Sequence, residues 1–201
     1  MIKELNLLLA GVGGQGTILM SELLGSAAVH DGVKVRGSEV LGMAVRGGSV
    51  FSSIRMGSDV YAPLPAFGKC DIMVSLEPSE AVRNITYLAK SGLVILNTTK
   101  VIPYTVSLGI SKYPSLEAML QFLKGASSKT IALDATNLAR EAGSLLTTNI
   151  VMLGALFGTE RLPIKVETIK EGIADRFPEK IVPLNIKAFD LGYQACKQAL
   201  Q

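Results

Sequence analysis

An apolar run, Leu5-Asn6-Leu7-Leu8-Leu9-Ala10, breaks into Gly11-Val12-Gly13-Gly14-Gln15-Gly16 and is followed at once by a helix-compatible stretch. Nothing else in the chain constrains its fold as strongly. A buried strand that ends in glycines spaced G-x-G-x-x-G and turns directly into a helix is the opening unit of a doubly wound α/β domain. The spacing has a physical basis. Gly11 permits the tight turn, Gly13 lets backbone N–H groups approach a ligand, and Gly16 lets helix and strand pack closely. The helix N-terminus carries partial positive charge and faces the turn, so an anion suits that position.

The remaining pattern continues the theme. Strands are predicted at Leu5–Ala10, Lys34–Arg36, Ser49–Met56, Asp71–Ser75, Leu93–Leu96 and Thr130–Leu133, with a further short one around Thr105–Leu108. Helices are predicted at Thr17–His30, from Glu77-Pro78-Ser79-Glu80 to about Lys90 with Gly92 ending it, and at Leu116–Leu123 behind the cap Ser115. Asp134 caps another, Thr136–Ala142. Ile150–Phe157 must be buried nearly all round. Val166–Arg176 and Lys180–Leu200 complete the chain. Tyr61–Phe67, with Pro63 and Pro65, is predicted to be irregular, and Gly37–Gly48 too glycine-rich for a regular element throughout. The expected fold class is α/β: a doubly wound, mostly parallel sheet with helices on both faces, a Rossmann-like glycine turn and a C-terminal helical extension, in one domain over 1–201.

Composition narrows what such a domain does. Charged residues make up only 18% of the 201, against 48% hydrophobic, which favours a face covered by another subunit. A net charge of +3 with dispersed Lys and Arg, and no Trp, argues against nucleic acid. With a charged Lys3-Glu4 start and no apolar h-region followed by a small-residue cleavage site, no signal peptide is expected, and no run is long enough for a membrane span. Cys70 and Cys196 stand far apart, as in a reduced cytoplasmic chain, and two thiols cannot hold an iron–sulfur cluster, which needs about four. His30 is the single histidine, placed as a helix-end cation, so no metal site is expected. No catalytic residue is evident: there is no G-x-S-x-G and no P-loop Gly-Lys-Ser/Thr.

The glycine turn by itself leaves its ligand open. A dinucleotide site also wants an acid at the end of the second strand. Glu39 is the candidate there, beyond Arg36 and Gly37, and Arg36 could instead meet a phosphate. A second constellation, Ser38-Glu39-Val40-Leu41-Gly42-Met43-Ala44-Val45-Arg46-Gly47-Gly48-Ser49, belongs to the same sheet edge as the glycine turn. It is a ligand site, a docking surface, or a solvated loop in which Glu39 pairs with Arg46 or Arg55; the adjacent Gly47 and Gly48, open to close approach, weigh against the last.

Taken together, Gly11-Val12-Gly13-Gly14-Gln15-Gly16, Ser38-Glu39, Gly42-Met43-Ala44, Arg46-Gly47-Gly48-Ser49-Val50 and Arg55 resemble the gamma-type domain of 2-oxoacid:ferredoxin oxidoreductases. Tyr61-Ala62-Pro63-Leu64, Asp71, Glu77-Pro78 with Glu80-Ala81 and Arg83, and Asn97-Thr98 extend the likeness. The branch it most resembles is the small (beta) subunit of the indolepyruvate enzymes. The resemblance implies oxidative decarboxylation of a 2-oxoacid to an acyl-CoA, with ferredoxin as electron acceptor and coenzyme A as co-substrate. Thiamine diphosphate, Mg and [4Fe-4S] clusters are then expected in a large (alpha) partner subunit, and none on this chain alone. It further implies a hetero-oligomer in which Gly11, Gly13, Gly14, Gln15 and Gly16 form a ligand or docking turn. Ser38, Glu39, Gly42, Arg46, Gly47, Gly48 and Arg55 would serve substrate or interface. The rival expectations are a freestanding dinucleotide-binding oxidoreductase and a docking module with no part in turnover.

Overall fold

The computed structural model describes residues 2–44 and 46–201; Val45 of the second glycine-rich segment lies outside them. In chain order the elements are β1 (Leu5–Val12), α1 (Thr17–His30), β2 (Val35–Leu41), β3 (Ser49–Met56), β4 (Cys70–Ser75) and α2 (Pro78–Arg83). They continue as β5 (Leu88–Asn97), α3 (Tyr104–Ser107), α4 (Leu116–Ala126), β6 (Lys129–Leu133), α5 (Ala135–Ala142), α6 (Thr148–Phe157), α7 (Val166–Arg176) and α8 (Val182–Leu200). The six strands form one sheet in the order β2-β3-β1-β4-β5-β6.

β1, β4, β5 and β6 pair in parallel, while β3 is antiparallel to both β1 and β2. β2 therefore points the same way as β1 but lies one strand further out. The doubly wound, mostly parallel architecture is present, with a hairpin in place of the usual second crossover. Its consequence is positional. Leu41 lies opposite Val50 and Val50 opposite Gly11, so the loop between β2 and β3 emerges at the carboxyl end of β1.

The central strands β1, β4 and β5 are buried on both faces, and their side chains alternate between two cores. Leu7, Leu9, Ile72, Val74, Leu93 and Ile95 join the core beneath α1, α5, α6, α7 and α8. Leu8, Met73, Val94 and Leu96 join the second core with Ala81 of α2 and Leu123 of α4. Asn149 to Phe157 of α6 are all buried, as their continuous apolarity requires. A Cβ at Gly154 would stand 2.0 Å from the Phe189 carbonyl oxygen, and one at Gly192 would stand 1.8 Å from that of Val151. Helices α6 and α8 thus touch backbone to backbone.

Three local expectations are corrected. The second strand does not stop at Arg36 but runs to Leu41, because β3 offers every residue from Val35 onward a ladder partner, Gly37 included. That pairing outweighs the roughly 0.5–1 kcal/mol penalty of a strand glycine. The helix opened by Glu77 ends at Arg83, where the Asn84 side chain donates to the Glu80 carbonyl at 2.9 Å. Gly92 consequently lies inside β5 rather than at a helix end. Residues 104–107 are helical, not extended, and pair with no strand of the sheet.

Candidate functional site

The carboxyl edge of the sheet is tied together by one run of hydrogen bonds. The Gly13 N–H donates to the Gly48 carbonyl at 2.8 Å, and the Gly47 N–H donates to the Gly13 carbonyl at 3.0 Å. The two glycine-rich segments are therefore directly paired. Gln15 then folds back over the turn: its Oε1 accepts from the Val12 N–H at 2.9 Å, and its Nε2 donates to the Leu76 carbonyl at 3.1 Å. The same carbonyl receives Asn97 Nδ2 at 3.2 Å, while Asn97 Oδ1 accepts from the Ala135 N–H at 3.2 Å. The ends of β1, β4, β5 and β6 share this net.

The glycines are demanded by what surrounds them. A Cβ on Gly11 would lie 2.9 Å from Gln15 Oε1 and 3.0 Å from Thr17 Oγ1. Gly16 has a φ of +84°, and a Cβ there would lie 2.4 Å from Asn149 Nδ2 at the start of α6. Gly14 is exposed and lies beside Arg46, whose Cγ is 3.9 Å from its Cβ position. Between the turn and the hairpin loop is a cleft of about 430 Å³, lined by Val12, Gly13, Gly14, Gly16, Thr17, Ile18, Leu41, Gly42, Ala44 and Val50. It is mostly apolar. Thr17 is buried, and its Oγ1 has no hydrogen-bond partner among the described residues.

The predicted site residues divide by position. Gly42, Arg46, Gly47 and Gly48 gather at this edge with Gly11, Gly13, Gly14, Gln15 and Gly16. Ser38 and Glu39 are inside β2, opposite Ser53 and Ser52, with the Ser38 carbonyl accepting from Ser53 Oγ at 3.5 Å. Glu39 is exposed, and among the described residues it pairs with neither Arg46 nor Arg55. Arg55 is at the other end of the sheet, opposite Asn6 at the start of β1. It is six positions along β3 from Ser49, about 20 Å at the usual strand rise. Its guanidinium bonds Glu4, Asn6 Oδ1 at 2.7 Å and the Ala62 and Leu64 carbonyls at 2.8 and 3.3 Å. Asn6 and Arg55 in turn hold the Glu4 carboxyl below the usual carboxylate range.

Two acids at this edge have a larger part than helix-start residues ordinarily do. Glu77 is fully buried. Its Oε2 accepts from the Glu80 N–H at 3.1 Å and Ser79 Oγ at 2.6 Å; its Oε1 accepts from the Val101 N–H at 3.4 Å and from the Tyr113 hydroxyl. Burial, and then the bond to Glu77, push the Tyr113 hydroxyl above its ordinary pKa. Glu80, also buried, accepts from Ser49 Oγ at 2.5 Å and Arg83 Nε at 3.1 Å. Through Ser49, Glu80 anchors the residue that directly follows Gly47-Gly48. Helix-start patterning accounts for Glu77 as the cap, but not for partners 24 and 36 residues away.

Neither cysteine presents a reactive thiol. Desolvation pushes Cys70 up to about 12 and Cys196 up to about 11. Among the described residues, no helix is long and apolar enough to cross a membrane.

The fold and the chain's sequence place it in a recognised class of proteins. Residues 6–195 match the family model described as pyruvate ferredoxin/flavodoxin oxidoreductase, and the chain belongs to that family. The crystal structure of a keto/oxoacid ferredoxin oxidoreductase gamma subunit from Geobacter sulfurreducens is similar, with a TM-score of 0.69 at 26% identity over 96% of this chain and 98% of that one. The indolepyruvate oxidoreductase subunit IorB of Pyrococcus horikoshii is 46% identical over 99% of both chains. A pyruvate/ketoisovalerate oxidoreductase common subunit gamma from Pyrococcus furiosus is 31% identical over 92% of each.

Proposed function

We propose that this chain is the small subunit of an indolepyruvate-type 2-oxoacid:ferredoxin oxidoreductase and acts by completing a large subunit. The reaction is the oxidative decarboxylation of a 2-oxoacid to an acyl-CoA, with the electrons passed to ferredoxin. Thiamine diphosphate, Mg and the [4Fe-4S] clusters belong to the large subunit in this reading. Two separated, buried thiols are too few for a cluster, and they suit the reduced cytoplasm.

The observation that carries the reading is the pairing of Gly13 with Gly47 and Gly48 over an apolar cleft at the N-terminus of α1. Such a cleft suits a long, thin ligand with an anionic end. Helix N–H groups and Arg46 favour phosphate, Thr17 Oγ1 supplies an uncommitted hydroxyl, and the apolar lining favours an uncharged arm. Coenzyme A has that build. This subunit would then hold coenzyme A and shield its approach to the large subunit's reaction centre. A freestanding dinucleotide enzyme is less well supported, because β2 ends in Val40-Leu41 rather than in an acid.

Reconstitution tests the proposal. The chain is co-expressed anaerobically with its candidate large subunit, and thiamine-dependent viologen reduction is assayed with indolepyruvate, phenylpyruvate, pyruvate and 2-oxoglutarate. Activity only with both chains, highest for an arylpyruvate, is expected. Failure to associate, with the isolated chain binding a dinucleotide stoichiometrically, would overturn it.

A further inference from the structure

The Glu77 carboxylate closes a loop. The Val101 N–H and the Tyr113 hydroxyl, at the two ends of residues 101–113, both reach the same oxygen, Oε1. A carboxylate taken out of water is costly, and here four donors offset that cost. The loop is ordered internally as well. The Leu108 N–H donates to the Tyr104 carbonyl at 3.0 Å, the Ile110 N–H to the Thr105 carbonyl at 2.9 Å, and Ser111 Oγ to Thr105 Oγ1 at 2.9 Å. Compact loops with joined ends usually pack their own side chains inward. This one turns its apolar side chains out: Tyr104 is 76% exposed, Ile110 72%, Leu108 54% and Ile102 49%. A rigid loop that keeps four large apolar groups in water is shaped for burial against something else.

We infer that the loop 101–113 is a docking element for the large subunit, presenting an apolar crown with a basic rim to an apolar patch edged by acids. The inference rests on the subunit role proposed above. Charge argues for a different chain rather than a second copy. Lys100 and Lys112 are both exposed, and residues 98–116 contain no acid, so a self-complementary contact would bring like charges together. Glu117 is the acid that follows; its own backbone N–H, Ser115 and then Lys100 hold its carboxyl below the ordinary range. Position argues for the large subunit. Glu77 directly follows Leu76, whose carbonyl Gln15 grips from the glycine turn. A partner that covers the cleft therefore meets this loop on the same edge of the sheet.

The test uses the co-expressed complex, with assembly followed by sedimentation velocity and turnover by thiamine-dependent viologen reduction. The double variant Tyr104→Ser/Ile110→Ser is expected to weaken assembly about tenfold or more while leaving the isolated chain's Tm unchanged. Lys100→Glu/Lys112→Glu is expected to weaken it less at high salt than at low salt. Wild-type affinity in the first variant overturns the docking loop, and in the second overturns the acidic rim. A wild-type chain that instead self-associates through Tyr104 overturns the assignment in favour of a second copy. If the wild-type pair itself fails to assemble and turn over, the proposed subunit role fails, a result distinct from all of these.

Discussion

The two edges of the sheet are built from different chemistry. At the amino edge, the charge and polarity around Arg55 are used up within the chain. Arg55 is bonded to Glu4, Asn6 and two carbonyls, and the Asn6 N–H donates to Asp71 Oδ2 at 2.7 Å. At the carboxyl edge, backbone is paired with backbone across two glycine-rich loops, and buried acids pin neighbouring segments. Arg46, Met43, Tyr104 and Leu146 are left facing solvent. An arginine bonded through all three guanidinium nitrogens stabilises the fold; one extended over a glycine turn is available to a ligand. Side-chain type alone does not separate Arg46 from Arg55. Hydrogen-bond satisfaction does.

Substitutions at the two edges put that contrast to the test. The largest effect is expected from Gly16→Ala, which sets a Cβ 2.4 Å from Asn149 Nδ2 at a φ of +84°. We expect a loss of about 2–4 kcal/mol in urea unfolding, partly recovered in the double variant with Asn149→Ala. Recovery assigns the damage to contact with α6; no recovery assigns it to the backbone. Next comes Arg55→Ala, expected to cost about 1–3 kcal/mol because it strands Asn6 Oδ1 and two carbonyls. Its assembled complex should keep the wild-type KM for both the 2-oxoacid and coenzyme A. A raised KM would erase the distinction between the edges.

Arg46→Ala is expected to do the opposite: a stability change within about 0.5 kcal/mol, and a KM for coenzyme A raised about tenfold in the reconstituted enzyme. Unchanged assembly and unchanged KM for every substrate would remove Arg46 from the site. The smallest effect is electrostatic. Asp31, at the C-terminus of α1, accepts from the Lys165 N–H at 2.7 Å and Thr168 Oγ1 at 2.8 Å, and these bonds lower its pKa. Its contribution is complete above the ordinary aspartate value of 3.8 and is lost as pH falls through the lower folded value. Asp31→Asn should flatten the acid limb of a Tm-against-pH curve below about pH 4.

The features legible in the chain before folding are those that neighbouring residues control. Helix α1 begins and ends where its pattern places it, at Thr17 and His30. The Ser115 and Asp134 side chains accept from Ala118 and Asn137 as capping residues do. The apolar stretch of α6 is buried on all sides, and the strand Ser49–Met56 has the expected bounds. In each case the signal lies within one or two turns or a single alternating run, so no distant partner is needed to decode it.

Features that depend on pairing across the chain emerged only in the packed molecule. β2 extends to Leu41 because β3 is there to receive it, and the same hairpin reverses β3, sending Arg55 to the far edge from Arg46. The helix after Glu77 stops at Arg83 and Leu88 enters β5, with Cys70 as its partner. Glu77 becomes a fully buried staple through Val101 and Tyr113. Strand order, register and the burial of a carboxylate are set by contacts between residues far apart in the chain. A local pattern specifies which residues can make such contacts, whereas the packed sheet selects the ones that form.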